Sequence, residues 1–293
     1  MVGSKNKTGL ILKIIFLVVF TFIFVLPLWL VLMASLEDGL TFAKNGYSMW
    51  IKILSFNNYE MLFGKAQFWV SFGNSFWITI VTVAISIVVN TLTAYVLAEK
   101  ELPFSKTLNF LFVFTMFFNA GMIPTYLTIK ALGMYNTVWA LIIPPTLGVY
   151  NVLLIRNFIY SLPKAMTEAA VIDGANYFQV LIKVILPISM PVIVTTALIT
   201  LIAKWNAWMD ILLYISKSET TADGIYSLWT VQYYIRTLLN DVAATGSNAS
   251  GELLNGKQVL SASIVITILP VVLLFPLLQK YFANGITLGA VKG

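Results

Sequence analysis

The chain has 293 residues, of which 59% are hydrophobic and only 10% are charged, whereas a soluble domain carries about 25% charged residues; this balance indicates an integral membrane protein. The absence of cysteine and histidine excludes disulfides, thiol nucleophiles, Cys/His zinc sites and imidazole catalysis. The net charge is +6, but lysine and arginine are scattered at the ends of apolar runs instead of clustering on one face. This distribution is typical of a membrane protein and does not indicate a nucleic-acid interface.

Six apolar stretches are long enough, or nearly so, to cross a bilayer as helices, which takes about 20 residues. Each stretch lacks Asp, Glu, Lys and Arg, and several contain prolines, which membrane helices tolerate as kinks. The predicted spans run over residues 14–36, 68–98, 108–129, 137–155, 184–203 and 259–278. The sequence therefore predicts one all-α transmembrane domain over residues 1–293.

An even number of spans places both termini on one side of the membrane. Lysine and arginine are denser in the loops on that side, which predicts that it is the cytoplasmic side. This orientation leaves outer loops at 37–67 and 216–257 and a cytoplasmic tail at 281–293. Outer loops of this length are usually functional or flexible.

A polar, helix-prone segment, residues 162–187, lies between the fourth and fifth predicted spans. It contains Glu-Ala-Ala, then a glycine after three residues, a valine after nine more, and Leu-Pro after one more; these residues are Glu168, Ala169, Ala170, Gly174, Val184, Leu186 and Pro187. This pattern resembles the cytoplasmic coupling loop of ABC-importer permeases, in which isoleucine stands where this chain has Val184. The resemblance implies that these residues, together with Asp173, receive motion from an ATPase.

The same segment predicts its own local structure. Residues Lys164–Ile172 favour helix after Pro163, which suits a first turn, and Gly174 can adopt the left-handed conformation that ends a helix. A second short helix is predicted from Asn176 to Lys183. The expected result is an elbow of two helices at the membrane surface, with an ordinary interfacial amphipathic helix as the alternative.

The resemblance extends from the first span to the last residue. The segments that carry it are Ile123–Pro144, Arg156–Ala170, Lys204–Asp210 and Gly289–Gly293. They resemble the carbohydrate-importer permeases related to the maltose system. More narrowly, they resemble the branch that imports oligosaccharides from plant or algal polysaccharides, including alginate and aldouronates.

This resemblance implies a type I ABC importer with two different permease subunits, two copies of a cytoplasmic ATPase and an extracytoplasmic solute-binding protein. The chain is then expected to be a non-catalytic subunit in the bacterial cytoplasmic membrane. It contains no Walker A motif, so ATP and Mg²⁺ are expected to bind to the partner ATPase. The end of the tail is expected to reach between the ATPases, through Gly289, Ala290, Val291, Lys292 and Gly293.

Polar groups at membrane depth indicate a candidate solute pathway, because such groups are costly. The richest cluster lies at the outer end of the fifth span, and three further candidates lie elsewhere: Lys204, Trp205, Asn206, Trp208, Asp210, then Asn119, Tyr150 and Asn151. Tryptophan faces stack on sugar rings, and Asn and Asp bond hydroxyls. The alternatives are interface anchoring by tryptophan, a Lys204–Asp210 pair and interhelical hydrogen bonds.

The second outer loop offers Trp229, Tyr233 and Arg236 as candidate contacts for the binding protein, with packing on the chain's own membrane domain as the alternative. The expected cargo is an oligosaccharide. The narrower resemblance indicates an acidic, uronate-containing one, with Lys204 and Arg236 as cationic contacts. The competing functions are an importer permease for a non-sugar solute and an ion-coupled secondary transporter, although the internal repeats typical of the latter are not visible.

Overall fold

The computed structural model describes residues 7–99, 102–118, 120–216, 224, 226–244, 259–274 and 276, and these are almost entirely helical. The prediction of an all-α protein is confirmed. The helices in chain order are α1 (Lys7–Leu36), α2 (Gly39–Asn45), α3 (Asn57–Phe63), α4 (Ala66–Ala98), α5 (Ser105–Phe117), α6 (Met122–Ala131), α7 (Trp139–Ile142), α8 (Val149–Tyr160), α9 (Lys164–Ile172), α10 (Tyr177–Val180), α11 (Leu186–Trp205), α12 (Met209–Tyr214), α13 (Val231–Ala244) and α14 (Val259–Leu274).

Four stretches in the described part of the chain are long and apolar enough to cross a membrane by length and composition. They are Gly9–Leu36, Ala66–Ala98, Trp139–Tyr160 and Tyr177–Trp205. The bent pair formed by α5 and α6 is a fifth candidate, and α14 is a shorter apolar helix. The described part of the chain therefore shows four or five candidate spans, and the total of six stays a prediction from the sequence.

The third predicted span, 108–129, consists of two helices instead of one. The axes of α5 and α6 are bent by 115° relative to each other. Gly121, which precedes α6, has φ +90°, a conformation that favours glycine. Pro124 lies in the first turn of α6, where its missing amide does not interrupt a helical hydrogen bond. These two residues favour a new helix start over continuation of α5.

The fourth span also contains a break. Its helical stretch, Trp139–Tyr160, runs beyond the predicted end at residue 155. A 3₁₀ turn at Pro144–Thr146 interrupts it, because Pro144 and Pro145 supply no amide hydrogens. The second part, α8, begins after Gly148.

The fifth span begins earlier than predicted. The stretch Tyr177–Trp205 runs through α10, a π-helical turn at Leu181–Ile185 and α11, whereas the sequence predicted a separate surface helix before a span at residue 184. The amide of Leu186 donates to the carbonyl of Leu181, which is the wider spacing of a π-helix. This wider turn lies just before Pro187, whose missing amide would leave an α-helical bond unmade.

The chain divides into two compact units, residues 1–69 with 234–269 and residues 70–233 with 270–293. The second unit contains a hydrophobic core that joins α4, α8 and the stretch that runs from α10 into α11. We call it the anchoring core; its buried members are Ala94, Leu97, Val152, Ile155, Ile159, Val180, Leu181, Ile185 and Ile193.

In the first unit, the segment 37–67 has structure of its own, although the sequence predicted a loop. The carboxylate of Asp38 caps the start of α2. The side chain of Asn58 donates to the carbonyl oxygens of Ser35 and Glu37, at 2.9 and 3.1 Å. These bonds hold α3 against the end of α1.

Replacing Asn58 by alanine is expected to lower the free energy of unfolding by about 1–3 kcal/mol, because two carbonyl oxygens lose their buried donor. Asn57→Ala is the matched control, since Asn57 is exposed on the same helix. Thermal unfolding in detergent measures both variants. Equal midpoints for the two variants would contradict the role of Asn58.

Candidate functional site

The segment 162–187 begins with a short surface helix, α9. Its bounds, Lys164–Ile172, are those predicted from the sequence. Pro163 precedes it with extended backbone (φ −61°, ψ 125°). A proline is well tolerated at a helix start because the first amides have no helical partner.

The helix α9 ends at a glycine, as predicted. Gly174 has φ +83°. Its amide donates to the carbonyl of Val171, and the amide of Ala175 donates to the carbonyl of Ala170, both at 3.0 Å. This pair of bonds is a Schellman motif. A Cβ on Gly174 would meet no heavy atom within 4 Å beyond its chain neighbours, so the backbone conformation, and not the space, favours glycine.

The next helix, α10, begins with reciprocal hydrogen bonds. The Oδ1 atom of Asn176 accepts from the amide of Gln179 at 2.9 Å, and Oε1 of Gln179 accepts from the amide of Asn176 at 3.0 Å. This arrangement is a capping box. The turn that connects α9 to α10 is therefore held by hydrogen bonds at both ends: the Schellman motif at the end of α9 and the capping box at the start of α10.

The motif residues of this segment face in two directions. Ala170 and Leu186 pack against the anchoring core, and Val184 is also partly buried. The exposed members are Glu168, Ala169, Asp173, Gly174 and Pro187. One side of the segment is therefore fixed to the second unit, and the other side is open.

The open side carries apolar surface. Its large exposed residues are Met166, Val171, Ile172, Tyr177 and Phe178, and Ile172 is 86% exposed. We call these five residues the apolar patch. A cleft of about 840 Å³ lies beside it, and both Glu99 and Glu168 line this cleft. Exposed apolar groups rimmed by polar groups are typical of a protein-docking surface.

Two hydrogen bonds join this region to α4. The hydroxyl of Tyr95 donates to the carbonyl of Tyr177 at 3.1 Å. The Nε of Arg156, on α8, donates to the carbonyl of Leu97 at 3.3 Å, and its guanidinium lies 5.0 Å from the ring centre of Tyr160. The end of α4 is thus tied to both neighbouring elements by side chain–backbone bonds.

A polar stripe that was not predicted from the sequence runs along α4. Its members are buried and lie three or four residues apart: Ser71, Ser75, Thr79, Thr82, Ser86 and Asn90. This spacing places them on one face of the helix and is the signal by which the sequence could have shown them. In the sequence, the apolar residues between them make this spacing difficult to notice.

Lys204 and Asp210 form an ion pair, one of the alternatives considered above. The Nζ atom of Lys204 lies 2.9 Å from Oδ2 of Asp210, and the two side chains are 5% and 35% exposed. Burial, and secondarily the Asp210 carboxylate, raises the pKa of Tyr214. The pair ties the end of α11 to the start of α12.

The neighbouring candidates differ in exposure. Trp205 is buried, and its ring makes an edge contact with Phe72, with the centroids 5.9 Å apart. Asn206 is exposed and donates to the carbonyl of Ile202. Trp208 is partly buried. Only part of this cluster therefore offers its side chains to a ligand in this conformation.

The remaining candidates lie elsewhere. Tyr150 is exposed and Asn151 is buried, both in the first turn of α8. The Nδ2 atom of Asn151 donates to the Oγ1 atom of Thr200 at 3.0 Å. Asn119 and the tail residues Gly289–Gly293 lie outside the described residues.

The segment 216–257, which was predicted to be the second outer loop, contains the helix α13. Trp229 and Tyr233 are buried, and the carbonyl of Trp229 accepts a hydrogen bond from Nδ2 of Asn74, on α4, at 3.0 Å. The two aromatic residues thus pack on their own membrane domain. Arg236 is the exposed member of the predicted set.

Comparison with known proteins shows which family this chain matches and which proteins it is similar to. Residues 102–288 match the family described as binding-protein-dependent transport system inner membrane component. The polygalacturonan/rhamnogalacturonan transport system permease protein YtcP of Bacillus subtilis is 32% identical over 296 residues, which cover 99% of this chain and 100% of YtcP. Protein LplC of the same organism is 35% identical over 272 residues, which cover 92% of this chain and 90% of LplC.

A solved structure shares the fold. It is the crystal structure of a bacterial ABC transporter involved in the import of the acidic polysaccharide alginate. One of its chains matches with a TM-score of 0.82 and 27% sequence identity, over 96% of this chain and 99% of that one. The similarity thus extends over nearly the whole length of both chains.

The two residues of the ion pair are expected to respond differently to substitution. Asp210→Asn removes the partner of a buried ammonium and is expected to cost about 3 kcal/mol of stability, the lower end for buried pairs. Lys204→Met leaves only a partly exposed carboxylate and is expected to cost less. The double variant is expected to be more stable than Asp210→Asn alone. Thermal unfolding of the four proteins gives the coupling energy, and a value near zero would contradict the pair.

Proposed function

The chain belongs to the family of binding-protein-dependent transport system inner membrane components, and on that premise we propose that it is a transmembrane subunit of an ATP-driven importer of uronate-containing oligosaccharides. The observation that carries the proposal is the two-sided segment 162–187. Its exposed carboxylates and apolar patch face away from the chain, while its other side packs on the anchoring core. A subunit without an ATP-binding motif needs such a surface to receive motion from an ATPase.

The segment couples ATPase motion to the spans through packing. The carboxylates of Glu168 and Asp173 bind a basic group of the ATPase, and the apolar patch fills a groove on it. Displacement of the segment then moves the anchoring core, because close-packed interiors transmit strain. Val184 and Leu186 are the motif residues that join the moving surface to the span.

The assembly contains a second homologous permease subunit, two copies of a cytoplasmic ATPase that bind ATP and Mg²⁺, and an extracytoplasmic binding protein. The most apolar part of Gly9–Leu36 is not buried within the chain itself, and lipid or the second permease subunit covers it. The chain lies in the bacterial inner membrane with both termini in the cytoplasm. The tail Gly289–Gly293 contacts the ATPases, and Arg236 contacts the binding protein.

The names of the similar proteins support an acidic cargo. YtcP is named for polygalacturonan and rhamnogalacturonan, and the solved structure is of an alginate importer; these polymers contain uronate units. Within this chain, Asp210 already neutralises Lys204. Arg236 is exposed on α13 and is more accessible to a cargo carboxylate than the buried Lys204. An importer of a non-sugar solute is the competing proposal.

The cargo is tested with the chain reconstituted together with its partner permease, its ATPase and its binding protein. Trigalacturonate is expected to stimulate ATP hydrolysis, whereas galactotriose, which lacks the carboxylates, is expected to stimulate it less. Stimulation by galactotriose alone would remove the uronate part of the proposal. Stimulation by peptides or amino acids alone would remove the sugar part as well.

Gly174→Val is expected to uncouple the importer, because a β-branched residue at positive φ costs about 1–3 kcal/mol of local strain. Gly174→Asn is the matched control, since asparagine visits the left-handed conformation more readily. The measurement is substrate-stimulated ATP hydrolysis, together with the amount of oligosaccharide transported per ATP. Unchanged coupling in Gly174→Val would refute the proposed role of this turn.

The orientation is tested by cysteine labelling, since the chain has no native cysteine. Ala165→Cys, on the exposed face of α9, is expected to react with an impermeant maleimide only after the cells are permeabilised. Leu40→Cys is expected to react in intact cells, because Leu40 is 71% exposed in the outer segment 37–67. The reverse pattern would invert the proposed topology.

A further inference from the structure

The chain that follows α1 runs back beside this helix. The carbonyl of Met49 accepts a hydrogen bond from Nε1 of Trp29 at 3.0 Å. Trp29 lies seven residues before Leu36, the last residue of α1, which is about 10 Å along a helix. The chain then returns to the end of α1, where the amide of Ser55 donates to the carbonyl of Leu36 at 2.8 Å. We call residues 48–56 the rim segment.

A buried carboxylate helps to hold the rim segment in place. The side chain of Glu37 is fully buried. The amide of Lys52 donates to its Oε1 atom at 3.4 Å, and the hydroxyl of Ser48 lies 3.4 Å from its Oε2 atom. Polar and backbone groups therefore fix this segment against the end of α1.

The apolar side chains of the rim segment remain exposed. Trp50 is 77% exposed. All five large exposed members are apolar or aromatic: Met49, Trp50, Ile53, Leu54 and Phe56. A segment in water normally buries such side chains and exposes its carboxylates. The opposite arrangement here indicates that this surface is not covered by water.

The exposure of α1 shows at which level of the membrane this surface lies. Residues 10–29 are exposed, except for the half-buried Leu26, and about 20 helical residues match the 30 Å thickness of the hydrocarbon core. Lys13, near the start of this stretch, can extend its ammonium to the surface. Beyond it, residues 33–35 are buried within the chain. The exposed stretch of α1 thus ends at Trp29, where the rim segment is bonded.

The charges near the rim segment suit a lipid surface. Residues 37–56 are all described, and their exposed charged side chains are those of Lys44 and Lys52. The carboxylate of Glu37 is buried, and that of Asp38 caps α2. Lipid headgroups carry phosphates, which attract lysines close to the end of a span. Exposed apolar and cationic groups together are typical of an element that lies in the membrane interface.

We propose that the rim segment is an interfacial anchor that lies in the lipid headgroup layer at the end of α1. The ring of Trp50 lies at the border of the hydrocarbon core, where tryptophan is enriched, and the ammonium of Lys52 lies beside lipid phosphates. A soluble partner would have to enter the lipid layer to reach Trp50, because this part of the segment lies about 10 Å back from the end of α1. The inference goes beyond the proposed function. It requires only that α1 crosses the membrane, in either orientation.

The anchor is tested first with a spin label on single cysteines, since the chain has no native cysteine. In the reconstituted complex in lipid nanodiscs, a label at Met49→Cys is expected to collide often with oxygen, which concentrates in lipid, and rarely with a polar nickel chelate. Asn57→Cys is the matched control, because Asn57 is exposed and follows Ser55, which is bonded to the end of α1. The ratio of oxygen to nickel collisions is expected to be about tenfold higher at Met49→Cys, which corresponds to about 1.4 kcal/mol of exclusion of the chelate.

The same measurement separates lipid from the other possible surroundings. Frequent collisions with the nickel chelate at Met49→Cys would place the rim segment in water and overturn the proposal. Rare collisions with both reagents would also overturn it, because a protein, either the second permease subunit or the binding protein, would then cover the segment.

The second test places a charge in the rim segment. Trp50→Glu is expected to lower the midpoint of thermal unfolding in nanodiscs by about 2–4 °C relative to Trp50→Leu, because a carboxylate is disfavoured at the border of the hydrocarbon core. A side chain exposed to water would tolerate both substitutions about equally, so equal midpoints would overturn the proposal. If the label at Met49→Cys prevents assembly, this comparison still decides, because both variants keep the bond between Trp29 and the carbonyl of Met49.

Discussion

The packing of the segment 162–187 on the anchoring core is the interaction on which the rest of the structure depends. The helix α9 has nine residues, and a helix of that length is marginal alone in water. It is held because Ala170 and Ala175 pack against the same core as Leu97, on α4, and Ile155, on α8. A surface element fixed in this way moves with the spans beneath it, which is the mechanical requirement for a subunit driven by a separate ATPase.

Features that depend on local chemistry could be predicted from the sequence. The bounds of α9 follow from a proline at its start and a glycine just beyond its end, and the φ of +83° at Gly174 confirms the expected stop. The apolar spans could be found because hydrophobicity over some 20 residues needs no tertiary information. A Lys204–Asp210 pair could be considered because opposite charges six positions apart cannot remain separate at low cost in an apolar surrounding.

Features that depend on contacts between distant elements could not be predicted in the same way. Trp229 and Tyr233 resembled an exposed recognition loop, but a donor on α4, Asn74, holds the backbone of this segment. The fifth span was predicted to begin at residue 184, but a π-helical turn before Pro187 lets the helical stretch begin at Tyr177. The buried stripe on α4 had a readable spacing, but its importance appears only when the break before α8 places Gly148 against Asn90.

The helix α8 connects the break in the fourth span to the anchoring core, on which the segment 162–187 packs. At its start, the amide of Gly148 bonds Asn90; two turns later, Arg156 bonds the carbonyl of Leu97. The two ties span about 12 Å of helix and both join α8 to α4, with Val152 and Ile155 buried between them. The helices α4 and α8 are thus hydrogen-bonded to each other at two places and packed together in between. Such a pair moves more easily as one rigid body than by sliding of one helix along the other. A displacement of the segment 162–187 would therefore reach the broken part of the fourth span through a stiff connection within one chain.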